Sequence, residues 1–118
     1  MLRNLWAACA AAAMLSPITA LAHAKLLATS PAAGAQLDVP PKQLTLRFDV
    51  EVQLAVLKLS AGGADIPVPF DRSAQAASEL SIALPSLAPG TYRVQWSALT
   101  ADDGHVVKGT FSFVVTAR

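Results

Sequence analysis

The chain has 118 residues, of which 14% are charged, and its nine lysines and arginines are nearly balanced by eight aspartates and glutamates. This length suits one domain and leaves no room for a multidomain enzyme. The balance of charge excludes the basic surface that nucleic-acid binding requires, and there is no acidic or basic tail. Apolar residues recur along the whole chain, which argues against intrinsic disorder.

Residues 1–22 have the pattern of an export signal. Arg3 precedes an apolar stretch at residues 5–15, Pro17 follows it, and Ala20-Leu21-Ala22 is a small-x-small cleavage pattern. An uncleaved membrane anchor is the alternative, but the apolar stretch is shorter than a bilayer span, which takes about 20 residues. We predict cleavage after Ala22. A cut after Ala24 is a second possibility, because Ala22 and Ala24 flank another small-x-small pattern.

Cleavage after Ala22 changes the chemistry that remains in the mature chain. The one cysteine, Cys9, and both methionines, Met1 and Met14, lie within the predicted signal. Residues 23–118 therefore contain no disulfide and no thiolate or thioether metal ligand. The mature chain would also begin with a histidine, His23.

Alternating apolar and polar residues predict short β-strands throughout residues 23–118. The predicted strands cover residues 44–49, 52–59, 79–84, 91–98 and 111–115. The alternation slips near Ala55, which indicates a bulge. No segment has a sustained helical period, and prolines and glycines separate the strands. The pattern predicts an all-β, immunoglobulin-like sandwich of one domain. The expected core aromatics are Phe48, Tyr92, Trp96, Phe111 and Phe113.

Two histidines carry the most distinctive chemistry. A terminal His23 would offer its α-amine and its ring Nδ1 to one metal ion, and both groups lose their protons near neutral pH. His105 follows Asp103 by two residues in a predicted polar turn. With Gly104 relaxing the backbone, both side chains could project to one side of an extended segment. Three nitrogens and one oxygen suit Cu(II) first and Ni(II) second, whereas zinc, calcium and magnesium favour other ligand sets.

Four stretches of the mature chain form a recognisable set: His23-Ala24-Lys25-Leu26 with residues 30–35, Pro40-Pro41 with residues 44–48, residues 90–96, and residues 103–113. In these stretches the chain resembles the CopC-type periplasmic copper-binding proteins along nearly its whole mature length. The resemblance implies a small Greek-key β-barrel or sandwich that holds Cu(II) in the bacterial periplasm. It implies His23, by amine and ring, with Asp103 and His105 as the ligands of one Cu(II) ion per chain. Some members also carry a methionine-rich Cu(I) site, for which residues 23–118 offer no methionine.

These features together favour a copper carrier or buffer that is not an enzyme. The resemblance also implies a copper-transporting protein of the inner membrane as a partner. One alternative is a histidine-brace copper oxygenase, but so short a chain leaves few loops for a polysaccharide, and we expect no such substrate. The other alternative is an immunoglobulin-like interaction module in which both histidines are incidental. Nothing in the sequence indicates an oligomer, and we expect a monomer.

Overall fold

The structure is a computed structural model, and it describes residues 24–116. These residues form seven β-strands joined by turns and loops. The strands are β1 (Leu26–Ser30), β2 (Gln36–Leu37), β3 (Gln43–Ala61), β4 (Ala64–Ile66), β5 (Ala77–Ala83), β6 (Gly90–Thr100) and β7 (Val106–Val115). They are hydrogen-bonded in the order β1-β3-β6-β7-β2, and β4 and β5 also pair with β3. The all-β prediction is confirmed. Residues 24–116 contain no helix with the length and hydropathy of a membrane span.

The longest strand, β3, joins two runs that the sequence predicts separately. Its first half pairs with β1 and β5, and its second half pairs with β6 and β4. The predicted bulge is confirmed, because the register with β6 shifts between Leu54 and Val56. A strand that changes partners half-way along its length curls the sheet around the core. Residues 49–51 are all exposed, and Val50 lies between two acidic residues, so the run interrupts the core-facing alternation and hides this continuity in the sequence.

The core is formed by the apolar residues that alternate along β3, β6 and β7. All five predicted aromatics are buried, and they pack as two pairs with Phe111 beside them. Phe48 and Trp96 meet edge to face at 5.3 Å between ring centroids, and Tyr92 stacks on Phe113 at 5.4 Å. Such pairs contribute on the order of 1 kcal/mol beyond the burial of their surface.

The alternation of apolar and polar residues does not predict the start of β7, because Gly109 occupies a position where an apolar residue would be expected. Gly109 lies opposite Trp96 in the β6–β7 pairing. A Cβ atom at Gly109 would come within 2.9 Å of the Trp96 ring, so the indole occupies the place of the missing side chain. Strand β7 begins at Val106. Its alternation is visible in the sequence only from residue 111 onward, because Gly109 contributes no apolar side chain.

The sheet brings the first described residues close to the end of β6. Thr45 pairs with β1 on one side and β5 on the other, whereas Val52 pairs with β5 on one side and β6 on the other. Strands β1 and β6 therefore lie along the same side of β3. The N-terminal end of β1 and the C-terminal end of β6 face each other across residues 49–51.

Candidate metal centre

A tight turn connects β6 to β7 and carries the predicted ligands Asp103 and His105. The backbone N–H of Thr100 donates to the carbonyl of His105 at 2.9 Å, and the N–H of Gly104 donates to the carbonyl of Thr100 at 2.9 Å. Gly104 has a φ of 69°, a conformation that residues with a side chain rarely adopt. The turn therefore depends on glycine between the two predicted ligands.

The turn places the Asp103 and His105 side chains next to each other. His105 Nδ1 lies 3.5 Å from Asp103 Oδ2, and both side chains are about half exposed. The two-residue spacing predicts this proximity, but the expected extended segment is wrong, because residues 101–103 form a turn. A nitrogen and an oxygen this close, both open to solvent, can face one metal ion.

The buried side chain of Thr100 organises this pair. Its hydroxyl donates to Asp103 Oδ1 and accepts the backbone N–H of His105 at 2.8 Å. The same N–H also lies 3.1 Å from Asp103 Oδ1. Thr100 is only 3% exposed, and these two hydrogen bonds fix the position of its hydroxyl. Asp103 Oδ1 is therefore occupied within the protein, and Oδ2 is the oxygen turned toward His105.

These hydrogen bonds favour the ionised form of Asp103. The Thr100 hydroxyl, followed by the His105 backbone N–H, lowers the pKa of the Asp103 carboxyl below its ordinary value. The carboxylate is thus available as a ligand without first losing a proton at neutral pH. The sequence does not predict the role of Thr100. The one indication is its position as the last strand residue before a polar turn.

A single threonine substitution tests this arrangement. Thr100→Val removes the hydroxyl but keeps the shape, so the Asp103 carboxylate loses the hydrogen bond that lowers its pKa the most. We expect the pKa of Asp103 to rise toward that of a solvated aspartate, as measured by an NMR pH titration of its carboxyl carbon. Thr100→Ser keeps the hydroxyl and should keep the lowered pKa. An unchanged pKa in Thr100→Val would show that the hydroxyl does not set it.

The described residues supply two of the three predicted ligands. His23 lies outside them, as does the predicted cleavage site after Ala22. Residues 24–116 contain no group of three or more His, Cys, Asp or Glu side chains that could hold a metal ion. Asp103 and His105 therefore form a partial donor set in the described part of the chain.

The first described residues are anchored beside this pair. The backbone N–H of Lys25 donates to Asp49 Oδ1 at 2.8 Å, and the N–H of Asp49 donates to the carbonyl of Lys25 at 3.0 Å. Two residues further along β3, the carbonyl of Glu51 accepts the N–H of Ala101 at 3.0 Å. Two residues of a strand span roughly 7 Å. The two anchor points on β3, Asp49 for Lys25 and Glu51 for Ala101, are therefore about 7 Å apart along the strand.

Comparison with known proteins agrees with this architecture. A family model described as the CopC domain matches residues 26–116. The chain belongs to the CopC family. Protein YobA of Escherichia coli K12 is 36% identical to it over 99 residues, which cover 80% of this chain and 79% of YobA.

Two solved structures have a similar fold. CopC from Methylosinus trichosporium OB3b has a TM-score of 0.66 and 30% identity, covering 80% of this chain and 94% of its own. PcoC from Escherichia coli, described as a methionine-rich copper resistance protein, has a TM-score of 0.62 and 27% identity, covering 80% and 100%. The predicted β-barrel or sandwich architecture is confirmed. The methionine-rich description does not carry over to this sequence, whose two methionines are Met1 and Met14.

Proposed function

We propose that this CopC-family protein is an exported carrier or buffer that binds one Cu(II) ion per chain. The ligands are the α-amine and ring of His23, a carboxylate oxygen of Asp103 and the ring of His105. The copper ion is its cargo, and the chain does no chemistry on it. Family membership supports copper as the metal, since a relative of this fold is a copper resistance protein.

The observation that carries this proposal is the meeting of the chain entry and the β6–β7 turn on one side of β3. Lys25 is anchored at Asp49, and Ala101 is anchored at Glu51. His23 precedes Lys25 by two residues, which reach about 7 Å when extended. That reach matches the separation along β3 between the two anchor points. A mature chain that begins at His23 can therefore deliver its amine and ring to Asp103 and His105.

The donor set fits Cu(II) better than other common metals. It offers three nitrogens and one carboxylate oxygen, with no thiolate among residues 23–118. Such a set suits the tetragonal geometry of Cu(II). Without methionine in that range, the chain has no thioethers for a Cu(I) site. We therefore propose a single Cu(II) site rather than a protein that shuttles both oxidation states.

The signal pattern of residues 1–22 supports export, cleavage after Ala22 and a periplasmic location. A monomer that exchanges its ion with a copper transporter of the inner membrane is the arrangement we propose. The exposed position of Asp103 and His105 supports exchange with a partner, because both side chains are about half accessible.

Electron paramagnetic resonance of the protein with one equivalent of Cu(II) tests the ligand set. A site of three nitrogens and one oxygen should give an axial spectrum with nitrogen hyperfine structure. His105→Ala should lose part of that structure. A spectrum like that of the aquated ion in the wild-type protein would contradict the proposal.

Acid should weaken copper binding through the nitrogen ligands. Imidazole and α-amino groups ordinarily titrate near pH 6.5 and 7.7–8.0, and the metal must displace their protons. The lowered pKa of Asp103 keeps the carboxylate ionised well below that range. We therefore expect the Cu(II) affinity to fall at least about tenfold per pH unit below pH 6.5. Competition titrations against a chelator at several pH values measure this slope, and a flat profile would contradict nitrogen ligation.

A further inference from the structure

The side chain of Asp49 holds the backbone of Lys25, two residues after the predicted mature terminus at His23. In a regular antiparallel pair, the Lys25 N–H would donate to the carbonyl of its partner on β3. Instead it donates to Asp49 Oδ1 at 2.8 Å, while the Lys25 carbonyl accepts the Asp49 N–H. The pairing of β1 with β3 is also irregular just beyond this point, between Leu26 and Ala28. The carboxylate thus replaces a missing ladder hydrogen bond where the chain enters the sheet.

We propose that Asp49 is a positioning residue for the copper site, which fixes the backbone at Lys25 so that His23 is delivered to the β6–β7 turn. This inference rests on the proposed function. Asp49 acts through the backbone of Lys25 and does not bind the ion. Asp49 restrains the N-terminal segment before copper binds. A ligand that is already restrained loses less conformational entropy when it coordinates the metal, so binding is tighter.

The neighbouring contacts on β3 explain why this position matters. The carbonyl of Glu51 holds Ala101, the first residue of the turn, and Asp49 holds Lys25. Both anchor points belong to one strand, so their separation is set by the rigid β3 backbone. Removal of the Asp49 carboxylate removes the acceptor of the Lys25 N–H hydrogen bond. The chain segment that carries His23 is then less restrained relative to Asp103 and His105.

Three variants separate the hydrogen bond from the charge of Asp49. Asp49→Ala removes both, whereas Asp49→Asn removes the charge and keeps an oxygen that accepts the Lys25 N–H. Asp65→Ala is the matched control: it also removes one carboxylate, which forms an exposed ion pair with Lys58 at 3.9 Å. Exposed pairs of this kind contribute little to stability.

Two measurements are made on the full mature protein. Amide hydrogen exchange at Lys25 in the metal-free protein reports the hydrogen bond itself, and it should be faster in Asp49→Ala and near wild type in Asp49→Asn. Competition titration with Cu(II) reports the site. We expect about tenfold weaker binding in Asp49→Ala, the lower end of the effect of residues that orient metal ligands. Asp49→Asn and Asp65→Ala should stay within about twofold of wild type.

The outcomes distinguish this inference from the proposed function. Wild-type protein that binds Cu(II) tightly, with Asp49→Ala equal to it, would overturn the positioning role alone. Equal losses in Asp49→Asn and Asp49→Ala would also overturn it, since the charge and not the hydrogen bond would then be responsible. A wild-type chain that begins at His23 and binds no Cu(II) tightly would overturn the proposed function, and this role of Asp49 with it, before any variant is compared.

Discussion

Replacing His105 with alanine is expected to abolish tight Cu(II) binding. The substitution removes the only histidine ring within residues 24–116 and leaves Asp103 as the sole proposed ligand on the turn. Loss of a direct ligand should exceed the 10–100-fold typical for groups that only orient ligands, so we expect at least a ~100-fold weaker affinity. Competition titration against a chelator of known affinity measures the change.

The neighbouring carboxylate provides the control for this variant. Asp102 lies in the same turn, is exposed, and precedes Asp103 by one residue. Asp102→Ala should bind Cu(II) as the wild type does, whereas Asp103→Ala should weaken binding. His105→Ala must also keep its fold, because the His105 contacts to Thr100 use backbone atoms that the substitution leaves in place. Unchanged copper affinity in a folded His105→Ala protein would remove the turn from the proposed site.

Blocking the α-amine of His23 is expected to have an effect of similar size. A flexible Gly-Ser extension ahead of His23 converts its amine into a peptide nitrogen and moves the new terminus far from the turn. The site then loses the chelate between amine and ring, and we expect at least a ~100-fold weaker affinity, again beyond the effect of an orienting group. The measurement is the same competition titration, on one preparation before and after proteolytic removal of the extension.

Recovery of copper affinity after removal of the extension tests whether the α-amine is a ligand. Removal of the extension regenerates a chain that begins at His23, as mass spectrometry can verify, and copper affinity should return to the wild-type value. Equal affinity with and without the extension would show that the amine is not a ligand. The mature mass also decides between cleavage after Ala22 and cleavage after Ala24, because only the first retains His23.

The sequence predicts the fold where side chains alternate between core and solvent. Alternation identifies the strands around Leu46, Trp96 and Phe113, and it locates the bulge near Ala55. It misses β1, β2 and β4, which are short and contain no fully buried residue. Their place in the sheet is set by pairing with distant segments, and the local pattern does not carry that information.

The candidate site is only partly visible in the sequence for a similar reason. Asp103 and His105 stand out because they are two residues apart around a glycine. The contributions of Thr100 and Asp49 depend on backbone groups that the fold brings to them. The Asp49 carboxylate meets Lys25 across 24 residues of chain, and the Thr100 hydroxyl meets the N–H of His105 only when the turn closes. Such contacts leave no motif in the sequence.

Trp96 offers the most direct test of a single copper site on this chain. It is the only tryptophan after residue 22, and it precedes Thr100 by four residues of β6, roughly 13 Å along a strand. Paramagnetic Cu(II) at the proposed site should therefore quench its fluorescence. Cu(II) should be titrated into protein recovered from the periplasm, with a mass that shows His23 as the first residue. We expect the quenching to end sharply at one equivalent of Cu(II). A chain that is confirmed to begin at His23 but binds no equivalent tightly would contradict a copper site on this protein.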